Sequence, residues 1–187
     1  MLFTQTSLHG VVLVDTEPKE DIRGSFRRLW CQREVAAAAL PTRIVQTSLS
    51  VTNRRGTLRG MHFQLPPSRE DKLIHCVRGR IFDVALDLRR GSPSYLRHFS
   101  VELAASDSKA LFIPSGCAHG FLTLSDDCSV LYMMTDFYDP ALQSGVRWDD
   151  PAFAIDWPER PKEILPRDAS YVDFDPGSVD GFSDGRH

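Results

Sequence analysis

The run Arg59-Gly-Met-His-Phe-Gln-Leu-Pro-Pro67, followed after a short break by Lys72-Leu-Ile-His-Cys-Val-Arg78, decides how this chain is read. Alternate side chains of an extended segment share a face. Gly60, His62 and Gln64 therefore point one way, and Met61 and Phe63 the other. In the second run Lys72, Ile74, Cys76 and Arg78 share a face, and Leu73, His75 and Val77 take the opposite one. Leu65-Pro-Pro-Ser68 separates the two runs, and the pair reads as two strands of one hairpin. That arrangement gathers a base (His62), a cation (Lys72) and an anion-binding arginine (Arg59) in one region.

Outward from this pair, almost everything reads as strand. Residues 11–14 form a short strand, and residues 21–26 make a turn at Gly24 that leads into an alternating run. Residues 32–40 are the one convincing helix, rich in alanine and closed by Pro41. Residues 43–52, 80–88, 98–103, 111–113, 118–124, 130–136 and 145–148 continue the strand pattern, broken by Gly and Pro turns. In residues 80–88, Phe82, Val84, Leu86 and Leu88 share one face, and Asp83, Ala85 and Asp87 the other. Short strands at regular spacing predict an all-β sandwich or barrel. Pro158, Pro161, Pro166 and Pro176 mark an irregular C-terminal arm. A single domain over residues 1–176 is expected, with a loose tail over 177–187.

A chain of 187 residues buries a core without staples. Its net charge of −3 offers no basic footprint for nucleic acid. Cys31, Cys76, Cys117 and Cys128 form no CxxC pair, and read as free thiols of a reducing cytoplasm. The first residues carry no basic, then apolar, signal pattern, and no apolar run approaches a membrane span.

Four side chains stand out for chemistry. His62 reads either as a half-buried structural histidine or as a base, and Lys72 either as a solvated strand lysine or as a functional cation. Tyr132 lies in an apolar run where its hydroxyl needs a partner. His119, in Pro114-Ser-Gly-Cys-Ala-His119-Gly-Phe, resembles the second motif of cupin barrels. Many cupins hold a metal through a His-x-His pair, a Glu and this later histidine. Here Gln64 stands where the second histidine would be, which leaves two imidazoles and no clear carboxylate. No metal and no cofactor are expected. Asp168, after the proline-rich arm, reads from spacing alone as a surface-turn residue.

Taken together, Asp21-x-Arg-Gly, Gly56-Thr-Leu-Arg-Gly-Met-His-Phe-Gln-Leu-Pro-Pro, Lys72-Leu, Ile81-Phe-Asp-Val-Ala-Leu-Asp-Leu-Arg, Ile113-Pro-x-Gly-x-Ala-His-Gly-Phe, Phe137-Tyr-x-Pro, Trp148-Asp-Asp-Pro and Ile155-x-Trp-Pro resemble the dTDP-4-dehydrorhamnose 3,5-epimerase family over nearly the whole chain. The resemblance implies a cupin-like jelly roll and a homodimer with exchanged strands. It also implies a metal-free epimerase acting on a nucleotide-diphosphate 4-keto-6-deoxy sugar at C3, C5 or both. It assigns His62 as the base oriented by Asp168, Lys72 to the C4 oxygen and Tyr132 as proton donor on the other face. Arg23, Phe26, Arg28, Gln46, Ser48, Arg59, His119, Tyr138, Gln143 and Arg167 fall at its substrate-binding positions, Arg23 and Arg59 as diphosphate clamps.

The sequence departs from that pattern at the nucleotide end. Arg28 and Gln143 stand where the family has glutamates, Ser48 replaces an asparagine, and Arg167 a lysine. Arg28 is donor-only and suits a base with an acceptor where thymine carries N3–H, such as cytosine. A mono-epimerase on a non-dTDP sugar, a cupin isomerase or dehydratase, and a non-catalytic sugar-nucleotide binder are the competing readings. The joint presence of His62, Lys72, Tyr132 and Asp168 argues against the last.

Overall fold

A computed structural model describes residues 1–176, and the C-terminal tail expected over 177–187 lies outside them. The strands are β1 (Leu2–Gln5), β2 (Val12–Asp15), β3 (Lys19–Asp21), β4 (Gly24–Phe26), β5 (Gln46–Thr52), β6 (Thr57–Gln64) and β7 (Lys72–Arg78). They continue with β8 (Arg80–Asp87), β9 (His98–Ala104), β10 (Lys109–Ile113), β11 (Cys117–Thr123), β12 (Cys128–Met134), β13 (Gln143–Gly145) and β14 (Glu163–Ile164). Helices α1 (Gln32–Ala37) and α2 (Pro166–Ala169) complete the set.

Two sheets face each other. One runs β1-β2-β10-β7-β12-β5; the other runs β13-β6-β11-β8-β9, with β14 parallel to β6. This is the expected all-β, cupin-like jelly roll. From β5 to β8 each strand lies in the sheet opposite its predecessor, and that corrects the hairpin reading of β6 and β7. β6 pairs with β11 and β13, whereas β7 pairs with β10 and β12. Alternation reports which side chains share a face; it carries no information about which strand is the neighbour.

The inward faces make the main core: Ile74, Cys76, Ile81, Ala85, Leu111, Phe121 and Val130 interdigitate between the sheets. Phe121 is fully buried, and truncating such a residue to alanine costs on the order of 3–5 kcal/mol. Each outward face is covered as well. Val84, Leu86 and Leu88 pack under Phe153, Trp157 and Phe174 of the C-terminal arm. Leu73, Ala110 and Phe112 pack under Phe3, Trp30 and Leu40. A strand buried on both faces leaves its charged residues no route to water, so Asp83 and Asp87 of β8 are enclosed.

Helix α1 stops earlier than the composition predicts. Ala39 takes a left-handed φ of 56°, and Leu40 N–H closes back onto the Val35 carbonyl. The arm is also more ordered than its prolines imply, since it contributes β14 and α2. Pro166 opens α2, where its missing N–H costs nothing. The β3–β4 hairpin pairs with neither main sheet. All four cysteines are free, and burial raises the Cys76 thiol to about 12. Among the described residues no helix is long and apolar enough to cross a membrane.

Candidate active site

His62 and His119 sit directly opposite each other on β6 and β11. That pairing is unusually close. A Cβ on Gly60 would lie 2.5 Å from the Gly120 Cα, and one on Gly120 would lie 2.6 Å from the Met61 sulfur. The glycines beside Met61-His62 and after His119 are therefore a packing requirement.

On the facing sheet, Lys72 of β7 lies opposite Met134 of β12, and Ile74 opposite Tyr132. Lys72 and Tyr132 thus share the inward face. The two walls bound a cavity of about 290 Å³ lined by Ser48, Arg59, His62, Lys72, His119, Tyr132, Arg167 and Asp168, with Leu49, Ser50 and Leu165 at its edge.

Asp168 is 1% exposed, which corrects its reading as a surface-turn residue. The parallel pairing of β14 with the start of β6 brings the chain to this sheet, and α2 then turns Asp168 inward. Its Oδ1 lies 2.8 Å from His62 Nε2, and Gly60 N–H donates to its Oδ2 at 3.4 Å. Burial alone would raise the Asp168 carboxyl. The hydrogen bond and charge of His62, with the Gly60 N–H and Arg167, outweigh that and hold it below the usual range. A carboxylate at Nε2 keeps the proton on that nitrogen and leaves the Nδ1 lone pair as the base.

Tyr132 packs edge-on against His119, with ring centroids 5.7 Å apart. Desolvation and the nearby Asp83 carboxylate both raise its phenol, so it stays protonated. Asp83 is fully buried, accepts a 2.7 Å bond from His119 Nε2 through Oδ1, and holds no partner at Oδ2. Lys72 Nζ pairs with Glu70, a second buried carboxylate. Sequence reasoning missed both acids. The available signal was an aspartate between Ile81 and Ala85 on the inward face of β8, and a glutamate two residues before the lysine.

Arg59 donates through Nε to Thr52 Oγ1 at 2.9 Å, and Arg167 through Nε to Asp168 Oδ1 at 3.2 Å. Gln46, Tyr138 and Gln143 do not line the cavity but form a connected group one step along the same walls. Gln46 precedes Ser48 on its face of β5, and Gln143 lies opposite Gln64. Tyr138 donates its hydroxyl to Gln143 Oε1 at 2.5 Å and its N–H to Gln46 Oε1 at 3.2 Å.

Arg23, Phe26 and Arg28 are not brought to the cavity within one chain. Arg23 pairs with Asp21 on the β3–β4 hairpin, Phe26 is 75% exposed, and Arg28 donates to Glu34. Among the described residues, no three His, Cys, Asp or Glu side chains converge as a metal-ion set.

The family model described as dTDP-4-dehydrorhamnose 3,5-epimerase matches residues 5–175. An enzyme of that name from Methanothermobacter thermautotrophicus is 43% identical over 156 residues, which is 83% of this chain and 83% of its own. The solved Bacillus anthracis dTDP-4-dehydrorhamnose 3,5-epimerase, with TDP and PPi bound, has a TM-score of 0.89 at 31% identity, over 92% of this chain and 99% of that one. The 4-keto-6-deoxy sugar epimerase NovW of Streptomyces spheroides has a TM-score of 0.87 at 36% identity, over 92% and 87%. A match that runs through both sheets and the arm, with the histidine, lysine, tyrosine and aspartate gathered on one cavity, means that the chain belongs to the dTDP-4-dehydrorhamnose 3,5-epimerase family.

Proposed function

We propose that this chain is an epimerase of a dTDP-linked 4-keto-6-deoxy sugar that inverts both C3 and C5. One observation carries the reading: the His62–Asp168 dyad and the Tyr132 phenol stand on opposite walls of one cavity, with Lys72 beside Tyr132. His62 Nδ1 takes a proton from the carbon next to the C4 ketone. The C–H electron pair becomes a C=C bond and the carbonyl pair moves to oxygen. Lys72 stabilises that enolate oxygen. Tyr132 delivers its proton to the opposite face as the ketone re-forms, and solvent restores both side chains. Arg59 and Arg167 supply guanidinium groups for the diphosphate. Arg28, engaged by Glu34, gives no support within one chain to a cytosine preference.

The working unit in this reading is a homodimer with exchanged strands. The β3–β4 hairpin stands apart from both sheets and exposes Ile22 and Phe26. β5 is an edge strand with Leu49 and Val51 exposed, and its Ser48 and Ser50 line the cavity. Exposed edges of this kind are templates for a further strand. A second copy's hairpin laid along β5 would carry Arg23 and Phe26 to the cavity that lacks them.

Turnover of dTDP-4-keto-6-deoxyglucose in heavy water, followed by proton NMR, tests the reading. Deuterium at C3 and C5 with inverted couplings is expected. Deuterium at one carbon makes the enzyme a mono-epimerase, and none at either overturns the proposal. His62→Ala should abolish exchange at both.

A further inference from the structure

Glu70 lies outside the cavity lining, yet it is 7% exposed and its Oε2 pairs with Lys72 Nζ, which is itself largely enclosed. Residues two apart on an extended segment share a face, so Glu70 and Lys72 lie side by side. Asp71 points the other way and is clamped. Its Oδ1 accepts from Ser115 N–H at 2.9 Å and its Oδ2 from the Thr135 hydroxyl at 3.2 Å. Its N–H donates to Thr135 Oγ1 at 2.8 Å, and its carbonyl accepts from Thr135 N–H at 3.1 Å. The backbone of this segment is thereby tied to the turn after β10 and to the end of β12.

We infer that Glu70 is a positioning residue for the reaction: it aims the Lys72 ammonium at the site of the developing enolate and balances its charge before substrate arrives. A lysine stem has four rotatable bonds and a compact, strongly hydrated head. Left alone, it would turn toward water, because an unpaired buried cation is costly. A carboxylate on a fixed backbone removes that freedom. Oxyanion stabilisation depends on a cation already in place when charge develops, and displacements of about 1 Å can cost about a hundredfold. This inference rests on the reading of Lys72 as the enolate-stabilising group.

The test is a double-mutant cycle on the full chain with dTDP-4-keto-6-deoxyglucose. Deuterium wash-in at C3 and C5 is followed, and kcat and KM are measured separately. Glu70→Gln should lower kcat by roughly 10- to 100-fold with KM changed less than about threefold, and wash-in at both carbons should fall together. Glu70→Asp, which keeps the charge, should recover part of the loss. In a Lys72→Met background, Glu70→Gln should have no further effect on the residual rate. A structural role would lower both backgrounds equally. Equal losses in the two backgrounds, or a wild-type kcat in Glu70→Gln while Lys72→Met is impaired, would overturn the inference. If Glu70→Gln does not fold, the same comparison made with Glu70→Asp decides it. Failure of the wild-type chain to exchange at either carbon refutes the epimerase reading instead, which separates the two.

Discussion

Asp168→Asn keeps the volume of a buried side chain and removes its charge, so it probes the dyad rather than the packing. In the native site Oδ1 meets His62 Nε2 at 2.8 Å and Arg167 Nε at 3.2 Å, while Oδ2 faces Gly60 N–H at 3.4 Å. Every neighbour is a donor, and an amide offers one acceptor and one donor. With the amide oxygen toward His62, the imidazole keeps its tautomer but loses a charged partner, about 1.5–3 kcal/mol or roughly 10- to 150-fold. With the NH₂ toward His62, Nε2 must accept, the proton moves to Nδ1, and the base is lost. Averaged over both, kcat should fall by about 10²- to 10³-fold. With the amide oxygen toward His62 the buried Gly60 N–H is left unmet, and with the NH₂ there the half-exposed Arg167 Nε loses its acceptor, so folding stability should fall by about 1–3 kcal/mol. Deuterium wash-in and urea titration read the two effects separately. A kcat within threefold of wild type would refute the assignment of His62 Nδ1 as a base held by Asp168.

The remaining predictions concern pH, assembly and the donor. Burial, with the Arg27 charge opposing protonation, lowers His75 from its ordinary 6.5 to about 4. Its contribution to stability is complete above pH 6.5 and is lost as pH falls from there through 4. The gap corresponds to about 3 kcal/mol, and a His75→Leu variant should show a flatter stability profile over that window by urea titration. Phe26→Asp, on a 75% exposed hairpin residue, should leave the fold intact by circular dichroism. It should shift the mass seen by light scattering from dimer to monomer and reduce turnover; an active dimer would refute the exchanged-strand reading. Tyr132→Phe should keep deuterium exchange at the carbon facing His62 while losing inversion by at least about a hundredfold. Undiminished inversion would remove Tyr132 as the donor.

Much of this site was legible because alternation is a local property. The faces assigned to residues 60–64, 72–78 and 80–88 are those the cores use. What could not be read is what depends on distant chain. Asp168 is buried only because β14 docks on β6 and α2 turns in behind it. The settings of Arg23, Phe26 and Arg28 do not lie within one chain's cavity at all. Asp83 and Glu70 fall between these cases: their positions were visible, but their partners His119 and Lys72 emerge only from strand register and backbone clamping.

The hairpin misreading bears on mechanism. Had β6 and β7 been neighbours in one sheet, His62 and Lys72 would have sat on a single surface, with Tyr132 beside Lys72. A base and a donor on one side of a sugar ring return a proton to the face it left, and no carbon inverts. The jelly roll instead sends β6 and β7 to opposite sheets. His62 and its carboxylate then occupy one wall, and Lys72 and Tyr132 the other. With the proposed roles of His62 and Tyr132, inversion demands that separation, and the loop between Gln64 and Lys72 crosses from one sheet to the other. Residues close in sequence are thus held on opposite walls of one cavity by the topology of the fold, with local strand geometry setting only which side chains face inward.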